Sequence, residues 1–328
     1  MQKPFCRAKP SYLMDTTDEK IVIFGFGAQG RVQAQNLKES GLNVTVCLRP
    51  ESPRIEEVRK LGLACRTDPK EAASEASICA LMLPDSQQAE FYSRILQKNL
   101  SPGAAILFAH GLAVHYGMIA PRKDLDVILV APLAHGVAVR EEFLAGSGVP
   151  CAVAVAQDFT GRALDRALFY AKGISKNGPF IKSTFREEVE TDLFAEQAIL
   201  CGGLPELIRA SFEILVSNGY NPKIAYYSSL RELRPILSLM EKYGIEGMRR
   251  RISDTARFGA VTRGKRIVDS KTKTEMKNIL SEIKSGKFID ELKKEIAAGF
   301  PQTESSLADD ASHDFEKVHH KFIEEKPR

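Results

Sequence analysis

Short apolar runs alternate with amphipathic stretches through the first half of the chain. Ile21–Phe24, Asn43–Leu48, Ile78–Leu83, Ala104–Phe108, Val127–Val130 and Cys151–Val155 read as strands, each rich in apolar or β-branched residues. Helical periodicity fills most of the intervals, as from Gln29 to Ser40 and from Ala163 to Lys172. Alternating strands and helices predict an α/β domain with a mainly parallel sheet covered on both faces. From about Ser183 the pattern changes. Residues 184–298 carry long helical periods, with Leu204, Leu207, Ile208, Phe212 and Leu215 on one helical face. The expected division is therefore an α/β domain over 1–182, an all-α domain over 183–300, and a polar, flexible tail over 301–328. Within that tail, Phe315–Val318 through Phe322–Ile323 has the spacing of one helical piece. Residues 1–18 read as polar and irregular.

Composition narrows the function classes. The chain has 328 residues, 44% hydrophobic and 27% charged, which suits a globular protein with sizeable cores. A net charge of +4 gives no argument for a nucleic-acid partner. The run Arg249-Arg250-Arg251 reads as a solvated face or a phosphate neighbour. No stretch is long enough to span a bilayer, and the N-terminus lacks the apolar region of a signal peptide. Six cysteines, Cys6, Cys47, Cys65, Cys79, Cys151 and Cys201, show no Cys-x-x-Cys spacing and read as small hydrophobes. A reduced, cytoplasmic protein with no membrane partner is expected.

The first strand runs into Gly25-Phe26-Gly27-Ala28-Gln29-Gly30, which fits G-x-G-x-x-G and opens a helix. Gly25 permits the tight turn, Gly27 lets backbone approach a pyrophosphate, and Gly30 lets helix and strand pack closely. The helix N-terminus adds free amides and a positive dipole end. These six residues are the expected nucleotide site. The second strand ends in Leu48-Arg49-Pro50-Glu51-Ser52-Pro53-Arg54. Arg49, Ser52 and Arg54 can surround a 2′-phosphate, which favours NADP over NAD. Glu51 argues weakly the other way unless it points to solvent.

Asp192 and Glu196 are four apart in Glu190–Gln197, which puts two carboxylates on one helical face. Like charges gain a helix nothing, and a divalent cation is the usual reason to keep them together. Glu232, in Leu230–Arg234, offers a further carboxylate.

Together these pieces resemble the ketol-acid reductoisomerase family, of the short class I type, over about residues 10–300. The strongest stretch is Ser183–Gly203, very similar to the family's metal-binding segment. Also family-like are Leu83-Pro84-Asp85-Ser86-Gln87, Phe108-Ala109-His110-Gly111 and Ile252–Ala256. The resemblance implies a Rossmann domain followed by a knotted helical domain, a homodimer or larger homo-oligomer, NADP(H) and Mg2+. It assigns Asp192, Glu196 and Glu232 to metal and catalysis, His110 to the reacting oxygen and nicotinamide, and Ser253 to the substrate carboxylate. Asp85 and Gln87 join the cofactor residues. Bland readings stand beside these: Glu232 paired with Arg231 or Arg234, Ser253 as a helix cap, and His110 as a hydrogen-bonded core residue.

Two departures shape the functional expectation. The family's Pro-Lys-Gly-Pro-Gly-His reads Pro132-Leu133-Ala134-His135-Gly136-Val137 here, so Leu133 stands for the lysine. The family's glutamate four residues before Glu232 is Ser228. Losing one charge stabiliser costs about two to three orders of magnitude in rate, and a hydroxyl is a poor magnesium ligand. One metal site is expected, with the second in question. His135 is a candidate substitute for the lost lysine. Both losses fall on alkyl migration, which needs more charge stabilisation than hydride transfer. The expectation is an NADPH-dependent, Mg-assisted reductase of a small 2-oxo acid or related carbonyl or imine, with migration impaired. The alternatives are a genuine ketol-acid reductoisomerase acting on 2-acetolactate in branched-chain amino-acid biosynthesis, and a non-catalytic NADP-binding protein.

Overall fold

A computed structural model describes residues 19–324. The expectation for 1–18, Cys6 included, and the last four residues of the tail lie outside the described residues. The chain divides into two compact units, Met1–Val189 and Glu190–Arg328.

The first unit is built on one eight-stranded sheet: β1 (Ile21–Phe24), β2 (Val44–Cys47), β3 (Ala64–Arg66), β4 (Ile78–Leu81), β5 (Ala105–Phe108), β6 (Asp126–Pro132), β7 (Cys151–Gln157) and β8 (Phe180–Lys182). Their order is β3-β2-β1-β4-β5-β6-β7-β8. The first six are parallel, β7 is antiparallel to β6, and β8 runs parallel to β7. The 3-2-1-4-5-6 order is that of doubly wound dinucleotide-binding domains.

Alternation of side chains divides the core between the two faces. Ile21 and Ile23 point to one side with Leu37, Tyr170 and Ile174, from the helices Ala28–Glu39 and Ala163–Ser175. Val22 and Phe24 point to the other with Ile106, Phe108 and Phe185. The register aligns the strand ends: Phe24 lies opposite Cys47 and Leu81, and Phe108 opposite Leu81 and Leu129. The residues that follow each strand therefore emerge along one edge of the sheet, where ligands bind in such folds.

Two strands escaped the hydrophobic pattern. β3 and β8 are three residues long and mostly exposed, so no apolar run marks them. Three of the five described cysteines behave as buried small hydrophobes, whereas Cys65 is half-buried and Cys201 is exposed. Cys47, Cys79 and Cys151 are buried, and burial pushes the thiols of Cys47 and Cys151 up to about 12.

The second unit is helical throughout. On the helix Gly203–Ser217, Phe212 is buried, but Leu207 stays 47% exposed, so the expected apolar face is only partly covered. The expectation of a flexible tail after 300 is corrected. Helices Pro301–Ser312 and Asp314–Glu324 fold back on the unit. Phe315 packs against Phe212 and Tyr226, with ring centroids 5.3 and 5.1 Å away. Tyr226 Oη meets His319 Nδ1 at 2.7 Å, and Arg209 pairs with Asp310. A few apolar anchors in a polar sequence suffice to dock it. Among the described residues, no helix is long and apolar enough to cross a membrane.

Candidate active site

The glycine loop leaves β1 at the switch point between β1 and β4. Gly25 has φ +106°, and a Cβ there would sit 2.5 Å from the Met82 carbonyl oxygen. A Cβ on Gly30 would sit 2.6 Å from the Gly25 carbonyl oxygen, so the loop closes on its own helix. A Cβ on Gly27 would meet no protein atom within 4 Å. The missing side chain thus leaves space beside the backbone where a pyrophosphate approaches, and the cradle fits a dinucleotide. Ala28 opens the helix Ala28–Glu39, supplying its N-terminal amides.

The side chains around this loop are distributed unevenly. Gln29 Nε2 donates to the Ala134 carbonyl at 3.1 Å, tying the loop after β6 to the glycine helix. A Cβ on Gly136 would come within 2.6 Å of the Ala28 carbonyl oxygen, so these two segments are in close contact. After β2, Arg49 is 85% exposed and 3.7 Å from Glu51, itself 72% exposed. Glu51 therefore points to solvent. Ser52 Oγ accepts from the Arg54 backbone amide. The Arg54 guanidinium donates to the Phe26 carbonyl, a contact with the protein that the sequence did not foretell.

His110 follows β5. Its Nδ1 lies 2.9 Å from Oε1 of Glu188, while Glu188 Oε2 accepts from the Gly111 amide at 2.9 Å. Glu188 is 6% exposed. A carboxylate can only accept, so His110 carries a proton on Nδ1. Asp85, after β4, accepts from Gln88 Nε2 at 3.0 Å. Burial raises its carboxyl above the usual range, His110 opposes that, and Glu188 adds to it. Gln87, two residues on, is exposed.

Glu188 is the candidate site residue that spacing missed. It lies one turn before Asp192 in the sequence of the helix Phe185–Ala195. The helix widens to a π-helical turn at Glu196–Leu200, so Glu196 begins that turn. Such turns recur at functional sites. Asp192 and Glu196 both carry carboxylate oxygens, the ligand type a hard divalent cation takes. Another π-helical turn, Tyr227–Arg231, carries Ser228, and Glu232 follows it; both are exposed. Ser253 caps the helix Asp254–Ile267, its Oγ accepting from the Ala256 amide at 3.2 Å. Leu133 is 52% exposed just beyond β6, and His135 is exposed at the start of the helix Gly136–Leu144.

Parallel strands in this order take dinucleotides at their carboxyl ends, and the first unit presents an open glycine cradle there, so the class is a nucleotide-dependent oxidoreductase. Residues 16–178 match the family described as acetohydroxy acid isomeroreductase, NADPH-binding domain, and residues 185–327 match ketol-acid reductoisomerase, C-terminal domain. The chain belongs to the ketol-acid reductoisomerase family. It is 44% identical over 307 residues to the ketol-acid reductoisomerase (NADP(+)) of Xanthomonas oryzae pv. oryzae, covering 93% of this chain and 92% of that one. It is 45% identical over 303 residues to that of Xanthomonas axonopodis pv. citri, covering 92% and 91%. Among solved structures it resembles an NADH-preferring ketol-acid reductoisomerase from an uncultured archean, with a TM-score of 0.91 and 34% identity over 95% of this chain and 96% of that one. The fold and the NADP(H) cofactor expected from the sequence stand. Identity at this level across both domains favours the expectation of a genuine reductoisomerase over that of a reductase with impaired migration.

Proposed function

We propose that this protein is an NADPH- and Mg2+-dependent ketol-acid reductoisomerase, converting 2-acetolactate to 2,3-dihydroxy-3-methylbutanoate for branched-chain amino-acid synthesis in the cytoplasm. The observation that carries this reading is the close likeness to curated reductoisomerases over both domains. When bound, magnesium would polarise the substrate oxygens and NADPH would supply hydride. Asp192 and Glu196 would hold the cation, with Glu232 as a further ligand. Glu188 locks the His110 ring, so that Nε2 accepts or returns a proton at the reacting oxygen. Ser253 donates its hydroxyl to the substrate carboxylate, and its capping bond leaves that proton available. Arg49 and Ser52 select the 2′-phosphate. The assembly is a homodimer or larger, in keeping with exposed apolar residues of the helical unit such as Ile214, Ile224 and Phe258.

A second reading is reduction without efficient migration, on a small 2-oxo acid or related carbonyl or imine. Leu133 and Ser228 favour it, because an exposed leucine donates no hydrogen bond and a serine carries no charge. NADPH oxidation with 2-acetolactate and magnesium tests the proposal. Magnesium-dependent turnover supports it, and its absence leaves the second reading.

A further inference from the structure

The segment after β2 is fastened to the glycine-loop helix at three levels. Arg54 Nη1 donates to the Phe26 carbonyl. Farther along, Arg31 Nη2 meets Glu57 Oε1 at 2.9 Å. At the far end, Lys38 Nζ donates to the carbonyls of Leu61 and Gly62, at 2.9 and 2.6 Å. The first tie differs from the others in what it controls. The Phe26 carbonyl and the Gly27 amide belong to one planar peptide unit, so fixing the oxygen fixes the direction of the N–H. Gly27 is the position where the backbone lies open to a pyrophosphate. The Phe26 side chain, 3% exposed, is anchored in the core and cannot set that plane by itself, because rotation about the flanking bonds remains. Arg49, by contrast, stands 85% exposed at the tip of the same segment, with Glu51 3.7 Å away.

We propose that Arg54 is a positioning residue for the pyrophosphate, holding the Phe26–Gly27 peptide plane, and not a ligand of the 2′-phosphate. This separates two jobs that the sequence assigned jointly to Arg49, Ser52 and Arg54. It rests on the nucleotide site and not on the reaction proposed above, and its test needs no substrate.

The test is calorimetric titration of the full chain with NADPH and with NADH, which share the pyrophosphate and differ at the 2′-position. Arg54→Ala is expected to weaken both nucleotides by about tenfold or more, the worth of one charge-assisted hydrogen bond, and to leave their affinity ratio unchanged. Arg54→Lys, which keeps one charged donor, is expected to restore most of that loss. Arg49→Ala is expected to weaken NADPH and spare NADH. Selective loss of NADPH in Arg54→Ala would make Arg54 a phosphate ligand and overturn the proposal. So would unchanged dissociation constants with a reduced binding stoichiometry, the signature of a merely structural role.

Discussion

Glu188 spends both carboxylate oxygens on the loop after β5, one on the Gly111 amide and one on His110. Glu188→Gln keeps the shape but replaces an acceptor with a donor. That change is expected to lower kcat about 10- to 100-fold, the usual effect of losing a residue that orients a catalytic ring, with little change in nucleotide affinity; an unchanged kcat would deny Glu188 this role. Asp85 makes a prediction about stability. Its carboxyl is raised by burial, so the folded state binds its proton more tightly than the unfolded chain does. Stability therefore falls as pH rises from about 3.9, the unfolded value, through the folded value. Asp85→Asn is expected to raise the melting temperature at pH 7 and to have no such effect near pH 3. An equal shift at both pH values would contradict the assigned cause. At this scale the sequence was partly legible. Asp192, Glu196 and His110 stood in recognisable segments, whereas Glu188 did not stand out, because its partners lie far away in sequence and meet it only through the fold. The Arg54 contact was hidden for the same reason: a basic residue after β2 reads as a phosphate ligand, and nothing local shows the Phe26 carbonyl within its reach.

Among elements, the strands with strong apolar runs were legible because parallel strands are buried on both faces. β3 and β8 were not, being short and exposed. The helices after 300 show how far composition misleads. Ser, Asp, Glu, Lys and His dominate there, yet Phe315 and Val318 join the cluster of Phe212, Ala225 and Tyr226. Removing residues 301–328 would uncover Tyr226 and Phe212, which are 1% exposed in the full chain. Truncation is expected to lower the melting temperature markedly, and Phe315→Ala alone to cost about 2 kcal/mol, somewhat below the range for fully buried phenylalanines. A truncated chain that melts with the full-length protein would restore the picture of a dispensable tail.

At the scale of the whole molecule, the helical unit leaves Phe258, Ile224 and Ile214 65%, 64% and 63% exposed. The proposed assembly covers such residues with a second chain, so light scattering is expected to give a mass of at least two chains, where a monomer would refute that assembly. The reaction itself turns on whether Leu133 and Ser228 permit alkyl migration. The most direct measurement is magnesium-dependent NADPH oxidation on 2-acetolactate and, side by side, on 3-hydroxy-3-methyl-2-oxobutanoate, which needs reduction alone. The proposal predicts turnover of both, with any deficit confined to 2-acetolactate. Turnover of only the second substrate would contradict it and leave a reductase that has lost migration.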